Sequence, residues 1–141
     1  MNPLVFAIKH SFLGVRRHLD EQLAGYGIST PQLEVLLLLS DKAEVEQRKL
    51  QQEVATRSAS LTTLLKRMEE HHLIERHPDP TDGRKALVSI TEPGTTLLER
   101  LTAEVEPTFL ANLTHGIEPS DLAVAQQVLN RIAANMQPQP G

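Results

Sequence analysis

The sequence predicts a mainly α fold carrying one small β-hairpin, an α+β class, and three observations point to it. Apolar residues recur at spacings of three and four over most of the 141 residues, the period of an amphipathic helix. The clearest alternating stretch, Ala86 to Ile90, follows a turn-rich segment (PDPTDGR, 78–84) with two prolines, two aspartates and a glycine. Aromatic residues are only Phe6, Phe12, Phe109 and Tyr26, so the core is expected to be aliphatic. The length suits a single domain, 1–141.

Leu4, Ile8, Phe12, Val15, Leu19 and Leu23 lie on one face of a long helix over 3–25, which Gly25 and Gly27 stop. Thr30-Pro31 predicts an N-cap followed by proline at the first helical position. The next helix, with Leu33, Val35, Leu36, Leu37, Leu38 and Leu39, is apolar nearly all round and is expected to be the central buried one. Residues 40–49 form a polar connection, and 50–56 a short helix with Leu50, Val54 and Ala55 inward. Small residues at 58–60 then suit a tight turn and a helix start. In the helix at 58–71, Leu61, Leu64, Leu65 and Met68 make an inward stripe, while Thr62, Thr63, Lys66 and Arg67 point away.

Strands are expected at 73–77 and 85–90, joined by the 78–84 tip. Thr91 caps a helix over 92–114, which Pro107 should kink or divide because its nitrogen cannot donate to the carbonyl of Ala103. A last helix spans 119–136 and residues 137–141 form a flexible tail.

Composition excludes several functions. Without cysteine there is no disulfide framework, thiolate zinc site, iron–sulfur cluster or thiol switch. No apolar run reaches the length of a membrane span, and the run at 4–8 is too short for a signal-peptide core, so a soluble cytoplasmic protein is expected, with no membrane partner. No phosphate loop, nucleophile elbow or zinc-protease motif is present, so no enzyme, no catalytic residue and no cofactor are expected. Of the six histidines, His71, His72 and His77 are the densest group; adjacent residues diverge by about 100° on a helix, and no metal site is expected. The net charge of −4 is segregated: residues 48–91 carry eight basic and six acidic side chains, the remainder six and twelve.

Short helix, tight turn, amphipathic helix, strand, polar tip, strand describes a winged helix-turn-helix, here at 45–91. Small hydroxyl residues early in the second helix allow close approach to a major groove, and basic residues further along can reach phosphates or guanine edges. The expected DNA-binding residues are Arg57, Ser58, Ser60, Thr62, Thr63, Lys66, Arg67, Asp82, Arg84 and Lys85. Arg84 is the expected minor-groove contact, with Asp82 aiming it and Gly83 permitting a sharp tip.

Residues 50–94 resemble the MarR family (multiple-antibiotic-resistance-type regulators). LTTLLKRM at 61–68 is similar to the family's recognition helix, LIER at 73–76 to its first wing strand, and DGRKALVSITEPG at 82–94 to its wing signature. Three departures stand out: His72 where glycine is frequent, Glu46 where a Ser or Thr cap is frequent, and Thr63 where some relatives carry arginine. The resemblance implies a homodimer joined through helices 3–25 and 92–136, binding duplex DNA as a repressor of pseudo-palindromic operators and released by a small-molecule effector. It also places a ligand pocket near the first helix, where His10, Arg16, Arg17 and His18 could meet an anionic aromatic molecule. The alternative reading is a winged-helix protein-interaction module without specific DNA binding.

Overall fold

The computed structural model describes residues 1–54 and 58–138, with the side chains of Ser58 and Ala59 left out. Two compact units divide at Pro107. The first contains α1 (Pro3–Leu23), a single 3-10 turn (Ala24–Tyr26), α2 (Thr30–Leu39), β1 (Val45–Glu46), α3 (Gln47–Glu53), α4 (Ser58–Glu70), β2 (Ile74–Pro78), β3 (Ala86–Ile90) and α5 (Glu92–Glu104). Then follow α6 (Glu106–Leu113), which begins at the division, and α7 (Pro119–Asn135).

The core of the first unit is aliphatic, as composition requires. Val35, Leu36 and Leu39 of α2 meet Leu61, Leu65 and Met68 of α4, together with Leu50, Ile74, Val88 and Leu101, all almost fully buried. The central helix is nevertheless not buried all round, since Leu37 stays 52% exposed. The predicted apolar face of α1 is likewise largely open: Leu23 is buried and Ile8 and Leu19 are half-buried, but Leu4, Phe12 and Val15 are exposed, as is Phe6 beside them. In the second unit, Leu110, Leu113, Val124, Val128 and Leu129 are exposed.

Several boundaries differ from expectation for local reasons. Ser29, not Thr30, is the N-cap of α2; its backbone N–H donates to Gln32 Oε1 at 2.9 Å, which moves Pro31 to the second helical position. Thr30 serves another purpose, donating its N–H at 2.8 Å and its hydroxyl to Asp20 Oδ1, which pins α1 to the start of α2. The polar connection expected at 40–49 is confined to 40–44, and β1 and the start of α3 take the rest. β1 pairs antiparallel with β3 in the register Val45↔Val88 and Glu46↔Leu87. The sheet is therefore three-stranded, in the order β1-β3-β2. α3 ends at Glu53 because Val54 turns to extended backbone and buries its side chain; Ala55 and Thr56 lie outside the described residues, as do residues 139–141 of the expected tail.

Division near Pro107 occurs as expected. α5 ends at Glu104, and Pro107 sits in the first turn of α6, where a missing N–H costs little.

The base of the hairpin is locked by a short set of contacts. α4 closes in a Schellman arrangement: His72 N–H donates to the Glu69 carbonyl at 3.0 Å and Leu73 N–H to the Met68 carbonyl at 2.9 Å. This places His72 at φ 61°, a left-handed conformation that glycine adopts more readily. Thr91 then N-caps α5 through Gly94 N–H at 3.1 Å, donates its hydroxyl to the His72 carbonyl, and donates its N–H to the Leu73 carbonyl at 3.1 Å. Gly94 is required here because a Cβ would stand 2.3 Å from the Leu73 carbonyl oxygen.

Candidate nucleic-acid interface

The predicted stripe of α4 separates cleanly. Leu61, Leu65 and Met68 are buried and Leu64 is half-buried, while Ser60, Thr62, Thr63, Lys66 and Arg67 are exposed. At 100° per residue, Thr62 and Lys66 share one flank, whereas Ser60, Thr63 and Arg67 share the other. The surroundings follow that division. Thr62 lines an open groove of about 540 Å³ with Glu46, Arg48 and Gln51 from the α3 region and Arg84 and Lys85 from the wing. Ser60, Thr63 and Arg67 line a second groove, of about 410 Å³, beside Ser29 and Gln32 at the start of α2. The expected residues therefore do not form one cluster; they occupy both sides of an exposed helix. Arg57 lies outside the described residues, and the side chain of Ser58 is not described.

The wing tip is built by its own polar side chains. Asp79 Oδ1 accepts from Thr81 N–H at 2.8 Å and from the Thr81 hydroxyl at 2.7 Å, and these bonds hold its carboxyl below the usual range. Asp82 Oδ1 accepts from Arg84 Nε at 3.2 Å and from Arg84 N–H at 3.1 Å. The Arg84 side-chain bond first, then the backbone bond, lowers the Asp82 pKa. The expected aspartate–arginine arrangement is thus present, and Arg84 projects into solvent with its side chain 92% exposed. Gly83 does not take a left-handed conformation, so the sharpness of the tip comes from the aspartate bonds.

Lys85 has a different setting. Its Nζ lies 3.4 Å from Glu46 Oε1, across the edge of β1. Glu46 occupies the N-cap position of α3, yet its side chain makes no capping bond. Sequence reasoning missed Glu46 and Arg48 as groove residues because it placed 40–49 in a connection, and Gln51 because it considered only the apolar positions of the short helix at 50–56. The available signal was helix propensity, since QRKLQQE at 47–53 consists entirely of good helix formers.

The four residues proposed for a ligand do not converge. His10 and Arg17 are exposed on α1, seven residues and about 10 Å apart along the axis. Arg16 pairs with Asp20 at 3.8 Å, and His18 is half-buried. Among the described residues, no helix is long and apolar enough to cross a membrane, and no group of three His, Asp or Glu could hold a metal ion.

A helix-turn-helix with an exposed second helix, followed by a hairpin whose tip projects Arg84, is the architecture of winged-helix transcriptional regulators. The model of the MarR family matches residues 28–86. The organic hydroperoxide resistance transcriptional regulator of Bacillus subtilis (strain 168) is 33% identical over 99 residues, 70% of this chain and 67% of that one. The HTH-type transcriptional regulator YdgJ of the same organism is 32% identical over 110 residues, 78% of this chain and 66% of that one. The chain thus spans about two thirds of the length of these curated relatives. A mutant of MarR from E. coli, solved in complex with operator DNA, superposes with a TM-score of 0.83 at 25% identity, covering 92% of this chain and 93% of that one. The chain belongs to the MarR family of winged helix-turn-helix transcriptional regulators.

Proposed function

We propose that the protein is a homodimeric repressor that binds pseudo-palindromic operators and releases them when a small molecule binds. The observation that carries the DNA-binding part is the joint exposure of α4 and the wing: Thr62, Thr63, Lys66 and Arg67 face solvent together, and Arg84 stands out at the tip. α4 enters the major groove, Lys66 and Arg67 reach phosphates, and Arg84 enters the adjacent minor groove with Asp82 orienting it. The likeness to a MarR solved with operator DNA supports this reading.

The exposed apolar side chains of α1 and, separately, of α6 and α7 support a second copy as their cover, since clustered exposed apolar side chains mark interfaces. Two-fold symmetry then sets two recognition helices about one turn of DNA, roughly 10 bp, apart. For the effector, exposed Arg17 and Asp20-paired Arg16 are the charged side chains of α1 that an anionic aromatic molecule could meet, with His10 and His18 on the same helix. Such a molecule lowers DNA affinity by binding the released geometry more tightly.

The test is duplex binding on a site selected from a random DNA pool, with light scattering for mass. Lys66→Ala and Arg67→Ala are expected to weaken binding and flatten its salt dependence. Arg84→Ala is expected to fold as the parent does and lose affinity, most on sites with A·T-rich flanks. A monomer at micromolar concentration, or three variants that bind as the parent does, overturns the reading in favour of a protein-interaction module.

A further inference from the structure

The groove between α3, α4 and the wing holds an anion among its cations. Glu46 lies there with Arg48, Arg84 and Lys85, and its carboxylate is 3.4 Å from the Lys85 ammonium. Position explains why the two meet: Glu46 pairs with Leu87 in the β1–β3 register, two residues from Lys85 along the wing strand. Both side chains are about half exposed, 43% and 51%, so the pair contributes little to stability and can be broken from solvent. Its consequence is electrostatic. On the face that the preceding reading turns toward DNA, one cation is already neutralised by a carboxylate of the same chain.

We propose that Glu46 competes with DNA phosphate for Lys85, and so sets the strength and salt dependence of duplex binding. The proposal rests on the DNA-binding reading. A phosphate approaching Lys85 meets either a neutral pair or, once the pair opens, an uncompensated Glu46 carboxylate that repels it. In either case Lys85 adds little to the release of condensed counterions. Arg84 also has a carboxylate partner, Asp82 at 3.2 Å on its Nε, but its side chain is 92% exposed against 51% for Lys85, so it stays the more accessible of the two to phosphate.

The experiment measures binding of the full chain to a selected operator and to a random-sequence duplex over a salt series, by fluorescence anisotropy. The proteins are the parent, Glu46→Gln, Lys85→Ala and the double variant. Glu46→Gln is expected to tighten binding to both duplexes several-fold and to steepen the slope of log K against log salt by about 0.9, the value of one further phosphate contact. Lys85→Ala is expected to weaken binding in both backgrounds, by baring the Glu46 carboxylate in the parent and by removing the freed phosphate contact in Glu46→Gln, with the larger cost and the larger loss of salt slope in Glu46→Gln. Thermal melting of all four should agree within about 2 °C, as expected for an exposed pair.

Unchanged affinity and slope in Glu46→Gln overturn the proposal. So does equal cost of Lys85→Ala in both backgrounds, which would mean that Lys85 reaches phosphate unhindered. Weaker binding with a lower melting temperature in both single variants would make the pair a structural tie and also overturn it. If the parent binds no duplex even at low salt, the DNA-binding reading fails first, and the proposal with it.

Discussion

Gly94→Ala is a one-carbon change with a large expected effect. The added Cβ would stand 2.3 Å from the Leu73 carbonyl oxygen and 2.8 Å from Ile90 Cγ1. Ordinary contact needs about 3.4 Å or more, so the first turn of α5 and the Leu73 carbonyl must separate by about 1 Å. That carbonyl accepts from Thr91 N–H, and Thr91 Oγ1 in turn accepts from Gly94 N–H, so the movement strains two bonds at the base of the wing. Overpacking of this kind costs about 1–3 kcal/mol, and a weakened hydrogen bond about 1 kcal/mol more. A total of about 2–4 kcal/mol on a unit of 107 residues lowers the melting temperature by about 8–16 °C. Circular dichroism melting reads this directly. Gly83→Ala is the control, because a Cβ there meets nothing within 4 Å and the backbone is not left-handed. If Gly94→Ala melts within about 2 °C of the parent, the close approach of Leu73 to α5 is not what holds the wing base.

Two further outcomes follow from single residues. His72→Gly removes a left-handed non-glycine residue and is expected to stabilise by about 0.5–1 kcal/mol after the added chain entropy, raising the melting temperature by about 2–4 °C; a fall would show that the imidazole holds more than the turn does. Bonds from Thr30, opposed by partial burial, keep the Asp20 carboxyl below its ordinary pKa. Its stabilising contribution is therefore complete above an ordinary aspartate pKa of about 3.9 and is lost as pH falls through the lower folded value. Asp20→Ala should melt below the parent at pH 7, and the gap should narrow below about pH 4; a gap constant with pH would remove the charge from the account.

Elements with a period were legible in the sequence. α4 and its inward stripe came from Leu61, Leu64, Leu65 and Met68, whose side is the buried one, and β3 from the alternation of Ala86, Val88 and Ile90, although Leu87 on its other face is buried as well. The signature at 91–94 also had a physical basis in the sequence. Thr91 caps and bridges, and Gly94 makes room for a carbonyl, so the spacing of three is the spacing of an N-cap hydroxyl and the amide that it accepts from. His72 stands where the family frequently has glycine, and its φ of 61° is the left-handed conformation that glycine adopts more readily.

What stayed hidden was β1, and with it one wall of the groove. A strand of two residues has no period, and Val45 followed by Glu46 differs little from any loop in composition. Its strand character exists only in the pairing with Val88 and Leu87, more than forty residues away. The consequence reached the site. With 40–49 taken as a connection, Lys85 counted as a free cation for DNA and Glu46 only as a missing cap. The pairing register joins the two, because it brings the start of α3 alongside the root of the wing. The basic excess at 48–91 was legible along the chain, while the carboxylate that pairs with Lys85 is a partner that only the sheet supplies.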